Sequence, residues 1–73
     1  MEIIKSKTIS KKFGKNLKKL RLEKKMSQGD IARALGVHRS YISGLERGIR
    51  NPTLINIERL AKALKMDIKR LLD

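Results

Sequence analysis

The stretch that most limits what this chain can fold into is residues 27–48, SQGDIARALGVHRSYISGLERG. Ser27 with Asp30 three positions later is the pattern of a helix N-cap and a shortened capping box: the hydroxyl accepts a free backbone N–H and the acid suits the positive helix end. A helix is therefore predicted from Gln28, with Ile31, Ala32 and Leu35 on its buried side and Gly36 ending it, since glycine takes positive φ readily. Val37 to Arg47 then reads as a second short helix, with Val37, Ile42 and Leu45 facing inward and Gly48 as its stop. The small Ala32 lets the second helix approach closely, and Gly36 turns the chain sharply. Two short helices joined so tightly have helix-turn-helix spacing.

The flanking segments supply a core for that pair. Ile9, Phe13, Leu17 and Leu20 recur at helical spacing, so one face of a helix from Thr8 or Ser10 to Lys24 is predicted to be buried. Lys11, Lys12, Lys15, Lys18 and Lys19 lie between them and point outward. After the turn IRNP, where Pro52 disfavours helix at Asn51, Thr53 caps a helix with the stripe Leu54, Ile57, Leu60, Ala61 and Leu64. Asp67 can cap a last turn or two carrying Ile68, Leu71 and Leu72. Nothing alternates as a strand does, so the expected fold is all-α, with about five helices in a single domain spanning residues 1–73.

Composition narrows the partners. Lysine and arginine number 19 against 7 aspartate and glutamate, a formal charge of +12 on 73 residues, which points to a polyanion, with nucleic acid ahead of an anionic membrane surface. There is no cysteine, hence no disulfide and no thiol chemistry. No apolar run is long enough for a signal peptide or a membrane span, and cytoplasm is the expected compartment. His38 is the sole histidine, with no carboxylate cluster near it in sequence, so neither a metal site nor an acid-base pair is expected, and no cofactor or enzyme activity.

SQGDIARALGV and YISGLERG together resemble the helix-turn-helix of the Cro and phage-repressor type, the xenobiotic-response-element family, over about residues 10–72. HRSYISGLERGIRNPTL looks most like the small controller proteins of restriction-modification systems. The resemblance implies a five-helix lambda-repressor-like domain that binds double-stranded DNA through a recognition helix beginning at His38, whose N-terminal residues enter the major groove.

Carried over position by position, Arg39 is the first base-reading residue, because a guanidinium can donate two parallel hydrogen bonds to guanine O6 and N7. Ser40 and Ser43 share its outward face, His38 lies at the helix end, and Arg50 follows in a loop as a flexible arm able to reach a base or a phosphate. Ser27 and Gln28 at a helix N-terminus, with Tyr41, Arg47 and Asn51, are expected to meet phosphates. Gly44 is costly inside a helix and is read as permitting close approach to DNA. Glu46 is unsuited to a DNA contact, and the resemblance implies that it pairs with Arg21 of the first helix.

One small domain reads few bases, so a homodimer on a palindromic site is expected, with an apolar C-terminal surface of Ile55, Met66, Ile68, Leu71 and Leu72, and Ile3 and Ile4 either joining it or covering the core. The fold leaves no room for a small-molecule effector pocket. RNA polymerase becomes a partner only if the regulator activates. The alternative of the same fold is a DNA-binding antitoxin held by a toxin.

Overall fold

The computed structural model describes residues 6–73, so Ile3 and Ile4 lie outside the described residues. All regular structure among the described residues is helical: α1 (Ser6–Glu23), α2 (Gln28–Leu35), α3 (Arg39–Glu46), α4 (Leu54–Leu64) and α5 (Lys69–Leu72). Helix α1 packs on α3 and α5, while α2 packs on α3 and α4. The recognition-helix candidate α3 is therefore braced by α1 on one side and α2 on the other.

The caps follow from the sequence. Ser27 Oγ accepts from the N–H of Asp30 at 2.9 Å, and the Asp30 carboxylate accepts from the N–H of Ser27 at 2.8 Å, closing the capping box. Gly36 takes the left-handed conformation, φ 71°, at the end of α2. Thr53 Oγ1 caps α4 by accepting from the N–H of Asn56, whereas the N-cap of α5 is Ile68 rather than the expected Asp67, whose Oδ1 still accepts from the N–H of Lys69. Helix α3 is shorter than the predicted Val37–Arg47, with His38 as its N-cap and Arg47 as its C-cap. Two helix ends carry no such sequence signal, because lysines rather than glycines adopt positive φ there: Lys25 at 57° after α1 and Lys65 at 54° after α4.

One core joins the helices, built from Phe13, Leu17 and Leu20 of α1, Ile31, Ala32 and Leu35 of α2, Ile42 and Leu45 of α3, Ile57, Leu60, Ala61 and Leu64 of α4, and Leu71 of α5. Two predicted core residues are outside it. Ile9 is 61% exposed and Leu54 84% exposed. The buried face of α1 is rotated toward Ser10, Gly14, Leu17 and Arg21, which leaves Ile9 at the rim. Leu54, as the first residue of α4, projects beyond the body of the core. A third correction concerns Leu71, assigned by sequence to a dimer surface. It is wholly buried, because α5 lies along α1, and Asn16 Nδ2 donates to the Leu71 carbonyl at 2.9 Å.

Gly14 explains how α1 and α3 come so close. A Cβ at that position would lie 2.3 Å from the carbonyl oxygen of Leu45 and 2.6 Å from that of Glu46. The crossing is backbone on backbone, and only a residue without a side chain fits between the two helices.

Candidate nucleic-acid interface

Helix α3 turns about 100° per residue, which puts Arg39, Ser43, Arg47 and Ser40 on one arc of roughly a quarter turn. Arg39, Ser40 and Arg47 are exposed and Ser43 half-exposed, whereas Ile42 and Leu45 point into the core. His38 is exposed just ahead of the helix and makes no side-chain cap hydrogen bond. The outward arc is thus basic and hydroxyl-bearing.

That arc carries no carboxylate because Glu46 is turned away from it. Arg21 Nε donates to Glu46 Oε2 at 2.6 Å and an Arg21 terminal nitrogen to Oε1 at 3.0 Å, a two-point pair whose side chains are 9% and 3% exposed. The other terminal nitrogen donates to the carbonyl of Met26 at 2.8 Å. Hydrogen bonding to Glu46 raises the guanidinium pKa above its ordinary value against the opposing effect of burial. The pair fixes α1 to the C-terminal end of α3.

Gln28, assigned by sequence to phosphate, is also drawn into this network: its Nε2 donates to Glu46 Oε1 at 3.0 Å. An amide nitrogen carries two hydrogens, so the second remains for an outside acceptor. At Ser27 the capping box uses the backbone N–H as a donor and the hydroxyl oxygen as an acceptor. The α2 N-terminus also offers an anion the N–H groups of the first helical residues, which have no intrahelical partner. The box also holds the Asp30 carboxyl below the usual carboxylate range, chiefly through the Ser27 N–H and hydroxyl, with Arg33 assisting.

The loop after α3 is more tightly held than its sequence suggests. The N–H groups of Ile49 and Arg50 both donate to the Gly44 carbonyl, at 3.0 and 3.2 Å. Ser10, buried on α1, donates its hydroxyl to Asn51 Oδ1, so Asn51 reaches any phosphate only through its remaining Nδ2. The side chain of Arg50 folds back onto α3. Its guanidinium lies over the Tyr41 ring, 5.8 Å from the centroid, and its aliphatic stem fills the space beside Gly44, where a Cβ would sit 2.6 Å from Arg50 Cγ. The reading of Gly44 as a notch for DNA is accordingly corrected: a side chain of the protein occupies it. Tyr41 is positioned in turn by Asn56 of α4, whose Nδ2 donates to the hydroxyl at 3.0 Å.

Sequence reasoning passed over Ser10, Gly14, Asn56 and Arg59, which donates to the Leu35 carbonyl and so ties α4 to the end of α2. Only Gly14 carried a usable signal, as a glycine within a predicted helix. No described helix is long and apolar enough to cross a membrane.

The helix-turn-helix family profile matches residues 17–71. The control protein C.BamHI of Bacillus amyloliquefaciens is 48% identical over 62 residues, 84% of this chain and 76% of the relative. Among solved structures, the restriction-modification controller protein C.AhdI of Aeromonas hydrophila superposes with a TM-score of 0.81 at 45% identity, covering 85% of this chain and 94% of that one.

This chain belongs to the helix-turn-helix family, in its controller-protein branch.

The controller protein C.Esp1396I, solved as a tetramer with its natural 35 base-pair operator, is similar over 89% of this chain and 96% of its own, with 37% identity and a TM-score of 0.74. The family match takes in both helices of the motif together with Arg21, α4 and α5 up to Leu71. In this controller-type fold α2 and α3 form the helix-turn-helix, and α3 is its second helix.

Proposed function

We propose that this chain is a sequence-specific transcriptional regulator of the restriction-modification controller type, which binds double-stranded DNA as a homodimer through the major groove. The observation that carries this reading is the face of α3: Arg39, Ser40, Ser43 and Arg47 share an outward arc from which Glu46 has been removed by burial against Arg21. A surface of that shape and sign suits insertion between two phosphate strands.

Arg39 stands at the N-terminal end of α3 and reads a guanine through its O6 and N7. Ser40, Ser43 and His38 flank it. Arg47, the free amide hydrogens of Gln28 and Asn51, and the first N–H groups of α2 position the backbone of the duplex. Arg21 and Glu46 touch no DNA; they set the tilt of α3.

The dimer surface draws on the exposed apolar residues of α4, α5 and the turn between them, where Ile55 is 70%, Leu72 52% and Ile68 38% exposed and Met66 is partly buried. Leu71 drops out because it is core. Symmetric half-sites then lie about 34 Å apart, one turn of the duplex.

Selection of bound sequences from random duplexes tests the reading, with wild type and Arg39→Ala run side by side at two salt concentrations. A palindromic consensus from which the variant loses one guanine preference supports it. Binding without consensus that weakens steeply with salt shows attraction to phosphates alone, and defeats it.

A further inference from the structure

Arg50 is held at three points, and the residue after it at a fourth. Its backbone N–H bonds to the Gly44 carbonyl, its stem lies against Gly44, its guanidinium rests over Tyr41, and the next residue, Asn51, is pinned by Ser10. Tyr41 is itself fixed by Asn56. Gly44 and Tyr41 follow Ser40 around the helix, at about 40° and 100° beyond it for 3.6 residues per turn. The seat therefore borders the DNA-facing arc on its Ser40 side, opposite the edge where Glu46 is buried.

We propose that Gly44, Tyr41 and Asn56 form a seat that presents Arg50 as a second, pre-set reading arm beside Arg39, so that Gly44 and Asn56 determine DNA specificity without touching DNA. This rests on the reading of α3 as the recognition helix. A long arginine ordinarily loses its rotamer freedom on binding; one already seated has little left to lose. The glycine provides the space for the stem, and the ring provides a flat electron-rich surface for the cation. An alanine at residue 44 overlaps Arg50 Cγ and pushes the arm off its seat, while the helix backbone, which prefers alanine to glycine, is left sound. Removal of the Asn56 amide frees the Tyr41 ring and loosens the same arm from the other side.

The test is a double-mutant cycle on the duplex selected by wild type, with base preference at each position as the readout and thermal melts alongside. Arg50→Ala is expected to lose a preference at a position distinct from the one that depends on Arg39. Gly44→Ala is expected to weaken the same preference, with a roughly three- to tenfold loss of affinity, the scale of ordering one long side chain, and no fall in melting temperature. In the Arg50→Ala background Gly44→Ala is expected to cost nothing more, and Asn56→Ala, a second route to the same arm, is expected to behave likewise. Equal losses from Gly44→Ala with and without Arg50 overturn the seat, as does an Arg50→Ala variant with unaltered preferences. If Arg39→Ala still loses its guanine in that case, the α3 reading stands and only the seat falls. If wild type selects no consensus, both fall.

Discussion

Arg21 and Glu46, 25 residues apart in the chain, meet in a two-point ion pair at 2.6 and 3.0 Å that is almost closed to solvent. The pair joins α1 to the end of α3, and the same carboxylate accepts from Gln28 at the start of α2. One buried charge thus ties together three elements.

Glu46→Ala leaves the Arg21 guanidinium desolvated and without its carboxylate, a loss of about 3–5 kcal/mol for a buried pair. For a domain of this size each kcal/mol lowers Tm by about 4–8 °C, so the variant is expected to melt at least about 12 °C lower. An unchanged melt removes the pair from the account.

Gly14→Ala is expected to be about as harmful, for a steric reason. The new methyl meets the backbone oxygens of Leu45 and Glu46, and backbone cannot rotate aside as a side chain does. A cost of about 3 kcal/mol or more follows from overpacking. Stability equal to wild type in a denaturant titration contradicts the close α1–α3 crossing.

The Asp30 carboxyl has its pKa lowered in the folded state by the capping box. Its contribution is therefore fully present above the unfolded value of 3.8 and is lost as pH falls through the lower folded value. Asp30→Asn is expected to melt below wild type at neutral pH, with the gap closing as the pH drops beneath 3.8. A gap constant over that range argues against the box as the source.

Leu71 and Leu72 are neighbours with opposite roles. Leu71→Ala opens a cavity in the core and is expected to cost about 2–5 kcal/mol. Leu72→Glu leaves the monomer folded and weakens self-association, as does Ile55→Glu, which sedimentation at graded concentrations reads directly. A Leu72→Glu chain that remains dimeric moves the interface elsewhere.

Much of this architecture was legible because its signals are local. Ser27 with Asp30, Gly36 and Thr53 mark helix ends through bonds spanning three or four residues, and each sits where its pattern placed it. The outward arc of α3 follows from periodicity alone. What could not be read is what depends on distant partners. Ile9 and Ser10 exchange places because the buried face of α1 is partly polar and small, with Ser10 bonded to Asn51 and Arg21 to Glu46, and apolar spacing is blind to such residues. Leu71 is covered by a helix 55 positions earlier. Gly44 reads in sequence as a space for DNA, whereas in the fold the stem of Arg50 lies in that space.

With α3 in the major groove and Arg39 at a guanine edge, binding depends on the guanine N7. Replacing the preferred guanine of the selected duplex with 7-deazaguanine removes that acceptor and leaves base pairing intact. Wild type is expected to bind the altered duplex about tenfold more weakly, within the roughly 1–3 kcal/mol of a bidentate contact, while Arg39→Ala binds both duplexes equally. Equal weakening of both proteins, or of neither, would contradict the placement of Arg39.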